Sequence, residues 1–234
     1  MVARLEGVLA SLDQWFCSNG LKINVDKTQL MLLGSRQNVR SIPPFVVKFR
    51  DHRLVPCSEA KNLGLVFDRT LSWNSHISHI TKRCFGILSG LSHLRHCLPH
   101  GVIVTLVNAL VLSQVRYCLT VYGNSTCANT SRIQKILNFS AKVIFGRKKF
   151  DHVSDLLQEL GWLTADDMVA MHTLTLMHKV RRTGEPDMLA RQFHTAAETR
   201  ERSTRRDHHL VVPRSRTEMG KQRYCAPAAL LYND

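Results

Sequence analysis

The stretch Trp15–Gly34, WFCSNGLKINVDKTQLMLLG, decides how the rest of the chain is read. Upstream of it, Val2, Leu5, Leu9, Leu12 and Phe16 recur at helical spacing, which predicts a helix over Val2–Ser18. Gly20 suits the left-handed residue past its end. Leu21, Ile23 and Val25 then alternate with Lys22, Asn24 and Asp26, the pattern of a half-buried strand, and Gln29–Leu33 reads as a second strand. A helix and two short strands bury little, so the stretch reads as the end of an element whose beginning lies elsewhere.

Downstream, Ser35–Pro44 reads as a loop and Phe45–Val55 as a hairpin with Asp51-His52 at its tip. Leu63–Phe67 is one more strand. From Trp73 the period turns helical, with Trp73, Ile77, Ile80, Cys84, Leu88 and Leu91 on one face. Pro99 opens a helix to about Tyr122, and Ser131–Phe145 and Val153–Leu160 follow. Thr164 and Asp167 resemble a capping box that starts a fifth helix running to about Arg182. Residues 193–223 are polar and basic, which predicts a loosely ordered tail. The fold expected is α+β: a mixed segment 1–70, a mainly helical domain 71–190 and a basic segment 191–234.

The chain has 234 residues and a formal net charge of +14, so its expected partner is a polyanion. The seven cysteines contain no C-x-x-C pair, which points to reduced thiols inside a nuclear or cytoplasmic compartment rather than a secreted disulfide framework. Gly101–Tyr122 is the apolar stretch closest to a membrane span, but Asn108, Gln114 and Arg116 argue for a core helix, and no membrane association is expected.

Seven stretches carry a family likeness. NGLKIN and KTQLMLLG are followed by KNLGLVFDRTLSWNSHI (61–77), LVNALVLSQVRYC (106–118), RIQKILNFSAKVIFG (132–146), LLQELGWL (156–163) and YCAPAALLYND (224–234). In this order they resemble the back half of the reverse transcriptase of LINE-type, non-LTR retrotransposons. The last block departs, with Tyr232-Asn233 where the family has Trp-Asn. The resemblance implies the end of a polymerase palm, a primer grip in Phe45–Val55 and Leu63–Phe67, a thumb-like helical bundle and a basic tail. It also implies that fingers and most of the palm precede this region and carry the Asp residues that hold two Mg²⁺ ions. Mg²⁺ is therefore expected only for a complete polymerase, and this chain alone is expected to be inactive, with no catalytic residue and no cofactor of its own.

Several residues invite sharper readings. Ala165-Asp166-Asp167-Met168 spells Ala-Asp-Asp, yet it opens an amphipathic helix, where acids favour the positive end of the dipole. His93, His96, Cys97 and His100 invite a zinc reading, but Pro99 interrupts their helix and no metal is expected. By resemblance Lys22 and Lys27 lie near a nucleotide, where a cation would answer charge developing on pyrophosphate. For nucleic-acid phosphates the candidates are Lys82, Arg83, Arg132, Lys135, Lys142, Arg147, Lys148 and Lys149, with Arg205 and Arg206 in the tail. The partner implied is RNA, DNA or their hybrid. A free-standing basic RNA- or DNA-binding module and a helical protein-interaction domain are the alternatives.

Overall fold

The computed structural model describes residues 2–148, 150–199 and 207–233, with the side chains of Glu218 and Met219 left aside. It divides into two compact units, 1–76 and 77–234.

In the first unit, α1 (Val2–Ser18) forms as its apolar spacing predicts. It ends where Gly20 takes a φ of 72° and the Leu21 amide turns back onto the Phe16 carbonyl, at 2.9 Å. Residues 21–24 are not the expected strand. The Asn24 side chain accepts from the Lys27 amide at 3.1 Å and closes Val25–Lys27 into a 3₁₀ turn, a local bond that competes with any ladder. β1 shrinks to Leu30–Met31, and the expected loop holds α2 (Arg36–Ser41), capped by the Ser35 hydroxyl.

β2 (Val47–Phe49) and β3 (His52–Leu54) form the expected hairpin. β4 (Pro56–Cys57) lies parallel to β1, and β5 (Glu59–Asn62) pairs antiparallel with β6 (Leu65–Asp68). Among the described residues the strands make three two-stranded ladders rather than one sheet. The buried apolar set is correspondingly thin: Val47, Phe49, Leu65, Val66 and Trp73. None of the α1 residues is buried, and Val8, Leu12 and Trp15 stand in solvent on one of its faces. Polar contacts tie the opposite face of α1 to β2. Glu6 accepts from the Lys48 amide at 2.7 Å, and Asp13 pairs with Arg50.

α3 (Asn74–Leu94) begins in the first unit and continues into the second. Asp68 organises its start. Its carboxylate accepts from the amides of Thr70, Ser72 and Trp73 and from the hydroxyls of Thr70 and Ser72, at 2.8–3.1 Å. That holds Leu71 and Trp73 at positive φ, a conformation side-chain-bearing residues avoid. Trp73 then packs on Phe67 with ring centroids 5.1 Å apart.

The second unit is helical. The expected helix after Pro99 runs through α4 (His100–Val107), a π-turn over Asn108–Leu112 and α5 (Ser113–Arg116), breaks at Tyr117–Cys118 and resumes as α6 (Leu119–Tyr122). Asn108 and Ser113 bond back to carbonyls four residues earlier, and Cys118 turns left-handed at φ 53°. Next come α7 (Cys127–Phe145), α8 (Ser154–Glu159), α9 (Ala165–Thr183) and α10 (Asp187–Ala190). Their shared core contains Cys84, Leu88, Val107, Val111, Leu112, Val115, Tyr122, Ile136, Leu137 and Ile144, each fully buried.

The described part of the tail is docked, not loose. α11 (Ala196–Thr199), α12 (Glu218–Lys221) and α13 (Cys225–Asn233) belong to the second unit. Thr195 and Leu210 form an antiparallel bridge, and Asn233 clamps both backbone groups of Leu210 at 2.8 and 2.9 Å. Met177, Leu210, Ala228 and Ala229 make a small core beneath, flanked by Phe193, Val212 and Tyr224. The segment has few apolar residues, but Phe193, Leu210, Val212, Ala228 and Ala229 gather around Met177 of α9.

Candidate nucleic-acid interface

Five of the candidate cations ride on two neighbouring helices, Lys82 and Arg83 on α3 and Arg132, Lys135 and Lys142 on α7. Arg132 of α7 reaches the Ser78 hydroxyl of α3 at 2.7 Å, and one register step further Phe139 meets Phe85 with ring centroids 5.3 Å apart. Buried Ile133, Ile136, Leu137 and Ile144 fix the inward face of α7. Arg132, Lys135 and Lys142 are consequently left along its other side. Lys82 and Arg83 are exposed on α3 and Lys135 on α7, while Arg132 and Lys142 are half-buried. Arg132 therefore has a structural bond to keep as well as any phosphate to meet. α7 ends at Gly146, left-handed at φ 64°, and Arg147 and Lys148 emerge exposed just beyond. Cations there also complement the negative end of the helix dipole. Lys149, Arg205 and Arg206 lie outside the described residues.

In the first unit, Lys22 and Lys27 part company. Lys22 lines an open cleft of about 510 Å³ together with Ile23, Asn24, Val25, Asp26, Arg50, Asp51 and His52. Lys27 is exposed at the end of the 3₁₀ turn and is not among those lining residues. The hydrogen bond from Arg50 holds the Asp13 carboxyl below its ordinary range, with the Lys22 charge adding to the effect. With Lys22 and Arg50 facing Asp26 and Asp51, the cleft balances charge rather than concentrating one sign. Sequence reading placed Asp51-His52 at a hairpin tip without assigning them to a cleft and passed over Arg50, although the charged run Arg50–Arg53 was the signal for it.

The Asp166-Asp167 pair sits in the first turn of α9. Thr164 caps that turn by accepting from the Asp167 amide at 3.2 Å, and its hydroxyl donates to the Asp167 carboxylate at 2.6 Å. Gln134 of α7 accepts from the Ala165 amide at 2.7 Å. These acids are helix-start residues. The histidine run that invited zinc is divided between the end of α3, a 3₁₀ turn over Arg95–Cys97 and the start of α4. Among the described residues no group of three or more His, Cys, Asp or Glu is arranged to hold a metal ion. No described helix is long and apolar enough to cross a membrane.

The cysteines stay unpaired in the structure. Burial pushes the Cys84 thiol up to about 11, in keeping with its place in the helical core.

No family model matches the sequence, and no solved structure matches it. Among curated proteins the chain is similar to the probable RNA-directed DNA polymerase from transposon BS of Drosophila melanogaster, at 24% identity over 186 residues. That alignment takes in 76% of this chain and 20% of the relative, so the chain spans about a fifth of the length of the protein it matches. Together with the ordered blocks quoted above, this similarity supports a distant relationship between the chain and a transposon RNA-directed DNA polymerase.

Proposed function

We propose that the chain handles template and primer for a non-LTR reverse transcriptase, gripping nucleic acid by its backbone rather than performing the chemistry. The observation that carries this reading is the similarity to a transposon polymerase over 186 residues. In this reading the hairpin β2–β3 and the ladder β5–β6 serve as the primer grip. The α3–α7 pair serves as a thumb face, with Lys82, Arg83, Arg132, Lys135, Lys142, Arg147 and Lys148 toward phosphates, and Lys149, Arg205 and Arg206 join the same set. Lys22 and Lys27 would come near a nucleotide only in a complete polymerase, and Mg²⁺ belongs to that assembly.

The charge supports it, because +14 on a chain of this size favours a polyanion. Aromatic residues are only 7% of the chain, which suits recognition of shape and phosphates over stacking on bases. The experiment is titration of a labelled RNA–DNA hybrid at several salt concentrations. Each phosphate neutralised releases counterions, so log K is expected to fall with log salt at roughly 0.9 per contact on B-DNA. Affinity indifferent to salt would remove this reading and favour a protein partner.

A further inference from the structure

Three separate pieces of the second unit converge at the far end of the α3–α7 pair. Arg95, in the 3₁₀ turn after α3, lies against Gly146, the residue that ends α7. An ideal Cβ on Gly146 would stand 2.4 Å from the Arg95 guanidinium carbon, and Arg95 Nε donates to the Ile144 carbonyl at 3.4 Å. His100, at the start of α4, packs its ring at a tilt against that of Phe145, with centroids 5.3 Å apart. Arg147 and Lys148 follow directly. One pole of the unit thus gathers Arg95, Arg147 and Lys148 beside His96 and His100, both exposed.

We propose that this pole, seated on Gly146, is the principal phosphate-binding surface of the helical unit, taking the sugar–phosphate backbone of a nucleic-acid duplex. The proposal rests on the nucleic-acid reading above and deepens it by naming one surface among the scattered cations. Dipole compensation alone does not account for the charge gathered there. The ends of α3 and α7 contribute about half a negative charge each, and the start of α4 returns about half a positive one. Asp151, whose carboxylate accepts from the Lys148 amide at 2.8 Å, adds a full negative charge. Arg95, Arg147 and Lys148 exceed that sum by more than one charge, with Lys142 one turn back along α7. The Arg95 side chain is anchored, and its anchor is a carbonyl and a glycine surface, not a carboxylate. Among the described residues no carboxylate pairs with it, and its guanidinium keeps the forked donor geometry that suits phosphate oxygens.

Gly146 provides a test that changes geometry while conserving charge. Gly146→Ala puts a methyl where the Arg95 guanidinium lies, and the flexible arginine must swing away. The full chain is titrated with a labelled RNA–DNA hybrid at several salt concentrations, beside a triple variant, Arg95→Gln with Arg147→Gln and Lys148→Gln. A control variant carries Lys82→Gln and Arg83→Gln. The triple variant is expected to weaken binding by about tenfold or more at moderate salt and to flatten the salt slope by about two contacts. Gly146→Ala is expected to weaken binding about threefold, in the same direction as Arg95→Gln alone, at unchanged net charge. Circular dichroism checks folding, and the exposed single variants Arg147→Gln and Lys148→Gln carry the test if Gly146→Ala melts early. A triple variant that binds like the wild type, or loses no more than the Lys82/Arg83 control, overturns the pole and leaves the nucleic-acid reading standing. A wild-type chain that ignores the hybrid but binds anionic lipid vesicles overturns both.

Discussion

Asp68 is one carboxylate serving a turn, a pair of hydroxyls and the start of a 21-residue helix. Burial pushes its carboxyl up, but the hydrogen bonds from Ser72 and Thr70 outweigh burial and hold it below the ordinary 3.8. A carboxyl lowered by folding adds stability that is full above its unfolded value and is lost as pH falls through the lower folded one. The loss is therefore expected only below about pH 3.8. Asp68→Ala leaves three amides without their acceptor and two residues at positive φ unsupported, and is expected to cost about 2 kcal/mol. Trp73 reports on both effects, being 8% exposed beside the knot. With Trp15 and Trp162 replaced by Phe, its emission should shift red in acid and in Asp68→Ala. Emission unchanged by the substitution would mean the turn holds without the acid. At Asp166 and Asp167, the helix-start position predicts structure without catalysis. Thr164→Ala should lower the melting stability by about 1 kcal/mol. Primer extension on an RNA template with Mg²⁺ should stay at background for the wild type. Extension lost on Asp166→Ala or Asp167→Ala would reverse that assignment.

Elements were legible in the sequence where one periodicity met one partner. α1, the β2–β3 hairpin, α3, α7 and α9 stand near their expected places because their apolar spacing, glycine stops and caps agree. The alternation at 21–25 misled, because a strand needs a neighbour and Asn24 offered its backbone a nearer bond. The helix after Pro99 was read as running unbroken to Tyr122 because apolar spacing does not register the left-handed turn at Cys118. The tail hid its order for a different reason. α13 lies along α9 with contacts one turn apart, Thr173 to Tyr224, Met177 to Ala228 and Arg181 to Tyr232, and small alanines carry little hydrophobic signal. At the interface, the sequence supplied the cations but not the convergence of Arg95 on Gly146, which depends on two helices ending together. The docking itself makes a prediction. Asn233→Ala removes both bonds to Leu210 and should cost about 1–2 kcal/mol. Amides around Ala196 and Val211 should then exchange faster, while those of α7 do not change. Unchanged exchange at Val211 would show that the apolar contacts hold the bridge without the clamp.

The two units differ in how much apolar surface each hides, and stability should follow that difference. The first unit has Val47, Phe49, Leu65, Val66 and Trp73 as its buried apolar residues and spreads its strands over separate ladders. Two-stranded ladders are marginal in water unless a core supports them. The second unit buries complete faces of α4, α7 and α9, with Val107, Val111, Leu112, Val115, Ile136, Leu137 and Ile144 at zero exposure. Each such side chain contributes about 1.5–3 kcal/mol relative to exposure, before the entropy of ordering is subtracted. Opening free energies should therefore rank the units, since local openings draw on regions with few buried contacts. Native-state hydrogen exchange is expected to show Ile103–Val115 and Ile133–Ile144 exchanging only through the largest openings. Val47–Phe49 and Leu65–Asp68 should exchange through smaller ones, at lower denaturant. A nucleic-acid duplex added at saturation should slow exchange in the second unit near Arg95 and Gly146 first, because a ligand stabilises the state it binds. Slower exchange in Val47–Phe49 than in Ile133–Ile144 would contradict the ranking by burial. Protection by the duplex confined to the first unit would place the grip in the hairpins rather than on the α3–α7 face.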